Sequence, residues 1–388
     1  MKKIIRTIMI SVVIAILTAC SGRNVSMETA ASSEVSSENV VTSSELTSEN
    51  ASDDTEAVRD VFAMDTYMTV KAYGPNGDAA VEAAVDEITR LDALLSTGKE
   101  DSEIGQINAN NGGQLSEDGA LLMERSLELY ESTNGAFDVA IYPVMKAWGF
   151  TDGNYQVPDT DILKATLELA DPSLIDYDKE TSTVSFKKDG VQIDLGGIAK
   201  GYTSSRIMDI YREKGVTSGL VNLGGNAQVF GTKPDGSLWR VAVQSPDSED
   251  EYLGVLEAKD KAIITSGGYE RYFEKDGVTY HHIIDPATGY PAENGLVSVT
   301  IVSTDGTLAD GLSTSLFVMG KDKAVDYWKA HSDEFDMILL TDDEKLYVSE
   351  GIKDSFTSDR EVEIIKKLEE DDGNERRAGN MCKEGIAV

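Results

Sequence analysis

The chain has 388 residues and a formal net charge of -34, and 40% of its residues are hydrophobic. This length allows one large domain or two ordinary domains with a sizeable core, and the negative charge argues against free nucleic acid as a partner. An anionic substrate would need a metal ion or local basic groups in order to approach such a surface.

The N-terminus has the pattern of a secretory signal. Basic residues precede an apolar segment at residues 8–17, and that segment is too short to span a membrane. It ends in Leu-Thr-Ala-Cys-Ser, which resembles a bacterial lipobox with Cys20 at its fourth position. We therefore predict a lipoprotein signal peptide at residues 1–19, lipidation of Cys20, and anchoring at the extracytoplasmic face of the bacterial cell membrane. An ordinary cleaved signal with an incidental cysteine is the alternative.

Two polar segments flank the part of the chain that is predicted to fold. Residues 20–57 are rich in Ser and Glu and nearly free of aromatic residues, which predicts a disordered tether. Residues 360–388 form a charged C-terminal tail, for which we predict a helix over Glu361 to Leu368 or disorder. The only other cysteine, Cys382, lies in this tail, so no internal disulfide framework is available. The folded domain is accordingly predicted at residues 58–359.

Strand and helix patterns mix within this domain without a strict alternation. Val61 to Tyr73 predicts one strand, and Asp78 and Ser116 are predicted helix N-caps. Further elements are predicted at residues 161–170 (helix), 218–222, 239–244, 253–256 and 296–302 (strands), and 337–340 with 345–348 (a hairpin). We therefore predict an α+β fold with mixed or antiparallel sheets and packed helices.

A glycine-rich stretch, VQIDLGGIAKG at residues 191–201, predicts a strand that ends at Asp194 and is followed by a helix. A strand-to-helix turn of this kind presents free N–H groups and the positive end of the helix dipole to an anion. Its spacing matches neither a Walker loop nor a dinucleotide fingerprint. Tight packing of strand against helix, with no ligand, is the alternative.

His282 stands at the end of a predicted strand, Val278 to Ile284, directly before the turn sequence Asp-Pro-Ala-Thr-Gly. A turn that fixes the backbone also fixes the direction of the imidazole. The ordinary histidine pKa of about 6.5 suits a general base. An exposed histidine, or one satisfied in the core, fits the same pattern.

Asp310 and Thr314 are four residues apart in a segment that leads into an apolar run. On a helix, their Cβ atoms would lie about 6 Å apart. A carboxylate beside a hydroxyl offers the hard oxygen ligands that Mg²⁺ prefers. The alternative is structural, with Asp310 as a helix N-cap and Thr314 bonded to its own helix.

Taken together, these motifs resemble the ApbE family, the FAD:protein FMN transferases, over roughly Val61 to Asp359. The runs that carry the resemblance are, in chain order, Met64-Asp65-Thr66, Leu95-Ser96-Thr97, Gly135-Ala136-Phe137-Asp138, Asp194-Leu195-Gly196-Gly197-Ile198-Ala199-Lys200-Gly201, Val221-Asn222-Leu223-Gly224-Gly225-Asn226, Ser266-Gly267, His282-Ile283-Ile284-Asp285-Pro286-Ala287-Thr288-Gly289 and Ala309-Asp310-Gly311-Leu312-Ser313-Thr314. One departure is Gly98, where many members carry an aromatic residue.

The resemblance implies a T-fold-like domain that binds FAD as its substrate. The implied flavin contacts are Met64, Ala136, Phe137, Asp138, Asp194 and Lys200. The resemblance also implies Mg²⁺ held by Asp310, Thr314 and the backbone carbonyl of Gly197, with His282 at the reacting phosphate. Arg271 follows a glycine pair, and its charge would add to that of Lys200 on the diphosphate.

The implied activity is transfer of the FMN moiety of FAD to a threonine hydroxyl of an acceptor protein, with AMP as the leaving group. The mature chain contains no Gly-Ala-Ser/Thr-Thr acceptor run, so the acceptor is expected to be a partner, and the resemblance suggests membrane redox subunits of the Rnf or NQR type. An Mg²⁺-dependent FAD pyrophosphatase and a non-catalytic FAD-binding lipoprotein are the alternatives. A solute-binding lipoprotein or adhesin is a more distant one, because it leaves the Asp-Thr pair and the glycine turns unexplained.

Overall fold

The computed structural model describes residues 55–248 and 251–368. The predicted signal peptide, the lipidation of Cys20, nearly all of the tether and the tail beyond residue 368 lie outside the described residues. Among the helices of the described part, none is both long enough and apolar enough to cross a membrane.

The described chain forms strands and helices throughout its length. The strands are β1 Glu56–Ala63, β2 Thr66–Tyr73, β3 Gly112–Gln114, β4 Ile175–Asp178, β5 Thr183–Phe186, β6 Ser218–Leu223, β7 Asn226–Gly231, β8 Trp239–Gln244, β9 Tyr252–Ala258, β10 Lys261–Gly267, β11 Tyr272–Lys275, β12 Val278–His281, β13 Leu296–Ser303, β14 Phe335–Thr341, β15 Leu346–Ser349, β16 Phe356–Thr357 and β17 Val362–Ile365. The α-helices are α1 Gly77–Leu95, α2 Glu103–Ala109, α3 Glu117–Ser132, α4 Tyr142–Trp148, α5 Thr160–Leu167, α6 Gly196–Glu213, α7 Gly306–Met319 and α8 Lys321–Ala330, with short 3-10 helices at Pro172–Leu174 and Glu350–Ile352.

A nine-stranded sheet in the order β1-β2-β6-β7-β10-β13-β14-β15-β17 organises the described residues. Its neighbouring strands are antiparallel except for β15 and β17, which are parallel. Smaller sheets are formed by β16-β9-β8, by β3-β5-β4 and by the ribbon β11-β12. This mixture confirms the predicted α+β class.

The central strand β13 is buried on both faces, because different layers cover them. Val299 and Ile301 share a core cluster with Leu312 and Leu316 of α7. Val302, whose side chain alternates to the other face, packs in a separate cluster with residues of β8, β9 and β14. The helices α6 and α7 therefore lie on one side of the sheet, where the candidate site is built.

Helices α6 and α7 cross at unusually short range because glycines meet there. A Cβ atom at Gly201 would collide with the carbonyl oxygen of Gly306 and with Asp310, so only glycine permits this approach. Helix α7 begins at Gly306, and the side chain of Asp305 caps it by accepting a hydrogen bond from the Leu308 N–H at 3.0 Å. Asp310 therefore lies one turn inside the helix, and its reading as an N-cap is wrong.

The predicted single strand Val61 to Tyr73 is wrong, since the chain turns back at Met64 and Asp65. Both residues have positive φ, 48° and 60°, and they join β1 to β2 in a hairpin. Neither turn residue is Gly or Pro, the strongest turn signals, so the sequence gives little indication of this turn. The predicted cap at Asp78 is also wrong, because α1 begins at Gly77 with Asn76 as its N-cap residue.

The predicted strand over Val191 to Asp194 pairs with no sheet in the described chain. A side chain takes the place of a neighbouring strand: the Asn108 amide accepts from the Ile193 N–H at 2.8 Å and donates to the Ile193 carbonyl at 2.9 Å. The Asp194 N–H donates to the Val139 carbonyl at 2.9 Å. These bonds join the glycine-rich stretch to α2 and to the loop after α3.

Two further predictions differ at their boundaries or type. The helix expected over Glu361 to Leu368 is wrong, because Val362–Ile365 forms β17 beside β15 and buries Ile365. The strand expected to reach Ile284 ends at His281, and Ile284 makes only an isolated bridge with Pro291. In both places, pairing with a distant segment decides the local structure.

Candidate active site

The carboxylate of Asp310 lies at the centre of the site and is almost fully buried, with 6% of its surface exposed. Its Oδ2 accepts a hydrogen bond from the Gly201 N–H of α6 at 2.7 Å. Its Oδ1 accepts from the side-chain amide of Asn226 at 2.9 Å. Burial raises the pKa of Asp310, while the Lys200 ammonium and these donors oppose the rise. A carboxylate desolvated in this way gains from a nearby cation.

The other two predicted metal ligands, Gly197 and Thr314, lie on the two helices that meet at Asp310. In a regular helix the Gly201 N–H would face the carbonyl of Gly197, so the Asp310 carboxylate approaches α6 beside that carbonyl. Thr314 follows Asp310 by one turn of α7, and its hydroxyl lies 3.3 Å from that of Ser266. Ser266 also hydrogen-bonds the Ser313 hydroxyl at 2.8 Å.

A carboxylate, a hydroxyl and a carbonyl oxygen suit a hard divalent cation that is completed by water and phosphate oxygens. Within the residues that the structure describes, no cluster of three or more His, Cys, Asp or Glu side chains forms a metal site. The donor set around Asp310 contains a single carboxylate, and its buried charge, opposed by desolvation, fits such a cation.

Lys200 links the parts of the site electrostatically. Its charge acts on the pKa values of Asp310, Glu270 and His282, so these three side chains lie within its reach. Desolvation raises the pKa of Glu270 to about 7, and the nearby Asp310 adds to the rise. Glu270 is nonetheless solvent-accessible, so it lies at the surface of the site rather than in the core.

His282 has one ring nitrogen engaged and one available. Its Nδ1 lies 3.1 Å from the carbonyl oxygen of Arg271, and because a carbonyl only accepts, Nδ1 carries the proton. Desolvation lowers the pKa of His282 to about 3, and the charges of Arg271 and Lys200 contribute. The imidazole is therefore neutral near pH 7, and Nε2, which has no hydrogen-bond partner among the described residues, can accept a proton. A pKa this low makes it a weaker base than the ordinary histidine expected from the sequence.

The neighbouring His281 shows the contrasting, structural arrangement. Its Nε2 lies 3.2 Å from the Ala292 carbonyl, and its Nδ1 accepts from the Ile283 N–H at 3.3 Å. Its ring also packs edge-on against Phe317 at 5.6 Å between centroids. Since both nitrogens of His281 are occupied, His282 is the one of these two histidines that has a nitrogen free for chemistry.

The predicted flavin contacts form a second group beside the start of α6. The ring of Phe137 lies against Gly197, where a Cβ atom would approach it to 2.9 Å. Asp194 accepts hydrogen bonds from the Thr97 hydroxyl at 3.0 Å and from the Gly196 N–H at 2.8 Å. These bonds hold the loop after α1 and the first turn of α6 together, while Ala136 and Phe137 lie in the loop after α3.

Asp138 and Met64 complete this group from opposite directions. Asp138 is 8% exposed and accepts from the Ala140 N–H at 2.7 Å, and burial raises its pKa to about 6. Met64 occupies the β1–β2 turn, where its N–H donates to Asp92 at 2.9 Å and its sulfur lies 3.9 Å from the Thr203 hydroxyl of α6. Arg271, by contrast, is exposed and donates to the Phe150 carbonyl at 3.3 Å.

Sequence reasoning missed three residues of the site: Asn226, Ser266 and Glu270. Asn226 stood in the conspicuous Leu-Gly-Gly-Asn run, and the two glycines of that run adopt positive φ, 65° and 98°, in a tight hairpin turn. The turn was readable from the sequence, whereas the contact of its last residue with Asp310 was not. Glu270 carries no local signal of its own, because its proximity to Lys200 and Asp310 arises only in the folded chain.

A model described as the ApbE family matches residues 64–339, which is more than half of the chain. The chain belongs to the ApbE family. The FAD:protein FMN transferase of Treponema pallidum is 33% identical over 323 residues, covering 77% of this chain and 88% of that relative. The FAD:protein FMN transferase of Klebsiella pneumoniae is 32% identical over 290 residues, covering 74% of this chain and 89% of the relative.

Solved structures of ApbE proteins share the fold. The crystal structure of the ApbE protein from Thermotoga maritima superimposes with a TM-score of 0.73 at 33% identity, covering 79% of this chain and 100% of that one. The flavin transferase ApbE from Vibrio cholerae gives a TM-score of 0.70 at 28% identity, covering 78% and 99%. The family resemblance and the fold drawn from the sequence motifs are thereby confirmed.

Proposed function

We propose that this flavin transferase moves the FMN moiety of FAD to a threonine hydroxyl of an acceptor protein and releases AMP. Relatives that cover most of the chain are FAD:protein FMN transferases. The observation that carries the proposal onto this chain is the convergence of a buried carboxylate, an ammonium group and a neutral imidazole with a free nitrogen. These groups, Asp310, Lys200 and His282, supply the positioning and charge neutralisation that displacement at a phosphate requires.

The reaction is a single displacement at phosphorus. Nε2 of His282 accepts the proton of the threonine hydroxyl, and the threonine oxygen attacks the phosphorus of the FMN half of FAD. The bond from this phosphorus to the bridging oxygen breaks, and AMP leaves with that oxygen. His282 then returns its proton to solvent or to the departing phosphate. The hydrogen bond from Nδ1 to the Arg271 carbonyl keeps the ring in the tautomer that this step needs.

We further propose that Mg²⁺ is held by Asp310, Thr314 and the carbonyl of Gly197. Bound there, it would neutralise charge on the diphosphate of FAD. Lys200, which lies within electrostatic reach of Asp310, would add a second positive charge to the same region. Both contributions matter in a chain with a net charge of -34, which would otherwise repel a dinucleotide.

FAD recognition is assigned to the side chains beside the start of α6. The buried ring of Phe137 packs against Gly197 and would form part of the wall that faces FAD, and Met64, Ala136, Asp138 and Asp194 are the other proposed contacts. The exposed guanidinium of Arg271 stands on the His282 side, where it would meet a phosphate of FAD or the incoming acceptor.

We also propose that the enzyme works outside the cytoplasmic membrane, anchored through lipidated Cys20. The lipobox-like sequence at the end of the apolar segment supports this location. The acceptors proposed are redox subunits of the Rnf or NQR type or other extracytoplasmic redox proteins, since the mature chain has no acceptor run of its own.

The test uses the purified protein, FAD, Mg²⁺ and an acceptor domain of an NQR-type subunit. We expect a fluorescent flavin band at the acceptor on a denaturing gel, and one AMP released per flavin attached. An acceptor with its target threonine replaced by valine is the control and should remain dark. AMP release at the same rate without any acceptor, with no labelled band, would favour the pyrophosphatase, and FAD that is bound but never cleaved would favour the binding protein.

A further inference from the structure

Strands β11 and β12 form a two-stranded ribbon that adjoins the site. The strands are antiparallel, with Tyr272 opposite His281 and Lys275 opposite Val278. They are joined by Asp276 and Gly277, whose φ values of 53° and 80° fit the two-residue hairpin turn that matches strand twist. Arg271 directly precedes the ribbon and His282 directly follows it.

The pairing determines which backbone groups of the ribbon point outward. The His282 N–H donates to the Arg271 carbonyl at 3.0 Å, so residues 271 and 282 form a hydrogen-bonded pair. Because hydrogen-bonded and non-bonded pairs alternate in an antiparallel ladder, the backbone groups of Tyr272 and Glu274 face away from β12. No hydrogen bond within the described residues reaches these groups, and both residues are exposed.

The opposite edge of the ribbon is partly covered. By the same alternation, the backbone groups of Ile283 and Asp285, which follow β12, face away from β11. Both residues are hydrogen-bonded to the segment at residues 290–292. The Ala292 N–H donates to the Ile283 carbonyl at 2.9 Å, and the Asp285 N–H donates to the Tyr290 carbonyl at 2.8 Å. His281 of β12 is itself held to Ala292. The edge on the β12 side is therefore covered beyond His281, whereas no hydrogen bond among the described residues covers the outer edge of β11.

The open edge leads into the catalytic end of the site. Side chains alternate along strands, so His282 shares one face of the ribbon with Arg271, Phe273 and Tyr280. Phe150 connects this face to the imidazole, with ring centroids 5.8 Å from Phe273 and 6.4 Å from His282. A strand laid along β11 would end at Arg271, whose carbonyl accepts the hydrogen bond from His282 Nδ1.

We propose that an extended segment of the acceptor protein pairs with the outer edge of β11 as an added strand, and that this pairing delivers the acceptor hydroxyl to His282. The inference rests on the transferase activity proposed above. Main-chain hydrogen bonds to Tyr272 and Glu274 would supply affinity that depends little on acceptor sequence, as in other cases of strand addition. An enzyme of this design can modify different acceptors, provided that each presents an extended segment next to its hydroxyl.

A proline at residue 274 tests this pairing, because it removes an N–H that points outward and leaves the bonds between β11 and β12 intact. We expect Glu274→Pro to raise the KM for an NQR-type acceptor domain about tenfold, the change that follows when a hydrogen bond of a paired strand is lost. The KM for FAD should stay unchanged. Thr279→Pro makes the matching change on the far edge and should leave the acceptor KM as in the wild type.

Glu274→Ala removes the side chain and keeps the backbone N–H, so it distinguishes the contribution of the side chain from that of the backbone. It is expected to behave as the wild type. FAD binding followed by flavin fluorescence, together with thermal melting, establishes that each variant is folded. The proposal is overturned if folded Glu274→Pro has the wild-type acceptor KM, or if Thr279→Pro raises that KM equally. If the wild type labels the acceptor and all variants have the same acceptor KM, the added strand is rejected and the transferase activity stands. A wild type that labels no acceptor domain at all rejects the transferase proposal and the strand together.

Discussion

The α6–α7 crossing and the β11–β12 ribbon meet at the same site but differ sharply in burial. At the crossing, Asp310 is 6% exposed, and each of its oxygens accepts a hydrogen bond. On the ribbon, Tyr272 is 47% exposed and Val278 is 44% exposed, and a whole strand edge is open. The side assigned to the diphosphate is thus fixed before any ligand arrives, whereas the side assigned to the acceptor is left accessible.

This difference follows from what the two substrates require. A diphosphate needs charges held in a fixed geometry, and groups positioned in advance lose little by reorganising during reaction. A protein acceptor is large and reaches the site from solvent, so its contacts lie at the surface. Substitutions at the crossing should therefore abolish FAD processing, and substitutions on the ribbon should change acceptor use.

The largest effect is expected from Asp310→Asn at the crossing. Removing the only carboxylate of the proposed metal site should lower the rate of flavin transfer by about 10³, since a bound cation contributes several kcal/mol of charge stabilisation. Asp305→Asn, on the same helix, keeps the N-cap and should remain within about twofold of the wild type. Transfer by Asp310→Asn at more than a tenth of the wild-type rate would contradict the proposed role of the buried side.

His282→Asn isolates the base at the junction of the two regions. Asparagine can still donate to the Arg271 carbonyl, as Nδ1 does at 3.1 Å, but it has no nitrogen that can take the place of Nε2. We expect transfer to fall by about 10² with little change in the KM for FAD. Because desolvation and the cations nearby lower the pKa of His282 to about 3, the wild-type base should be available throughout pH 5 to 9. An unchanged rate of flavin transfer in His282→Asn would show that Nε2 does not act as the base.

A smaller effect is expected from Asn226→Ala, which removes one of the two donors that hold Asp310. The Mg²⁺ concentration for half-maximal activity should rise about tenfold, as is common when the partner of a metal ligand is lost. Binding of Mg²⁺ to the enzyme without FAD, followed by calorimetry, should weaken to a similar degree.

Gln228→Ala is the matched control for that variant. Gln228 is a buried amide two residues further along β7 that accepts from Ser204 at 2.6 Å. Its loss should cost stability to a similar extent, about 1–3 kcal/mol, without changing the Mg²⁺ requirement. If the Mg²⁺ requirement rises equally in the two variants, a general loss of stability, rather than the position of Asp310, explains the weaker Mg²⁺ binding.

The two regions also differ in how well the sequence predicted them. The four-residue spacing of Asp310 and Thr314 predicted that both would lie on one helix, because helical spacing is a local property. The hydrogen bond from Asn226 to Asp310 joins residues 84 positions apart in the chain, and no local pattern encodes it. The tautomer of His282 likewise depends on the Arg271 carbonyl, which the register of the ribbon places beside it.

The incorrect predictions of secondary structure have the same origin. The β1–β2 turn needs positive φ at Met64 and Asp65, neither of which is a glycine, and the Met64 N–H is held by Asp92 from α1. Val362–Ile365 became a strand because β15 offers it a partner. Tertiary contacts override local preference in both cases, so the sequence alone favoured the wrong structure.

The smallest effect concerns Asp138, a buried carboxylate on the flavin side. Desolvation raises its pKa to about 6, above its unfolded value of about 3.9. The folded protein therefore binds more protons than the unfolded chain between these values, and Asp138 makes the fold less stable as the pH rises from 4 through 6. Asp138→Asn keeps an acceptor for the Ala140 N–H and removes this penalty. Its free energy of unfolding relative to the wild type should increase by about 2 kcal/mol between pH 4 and pH 8, as measured by urea unfolding.

The exposed Asp152, whose pKa is lowered by hydrogen bonds from Asn154, is the control. Asp152→Asn should show the opposite trend, so a parallel pH dependence in the two variants would show that Asp138 carries no such penalty.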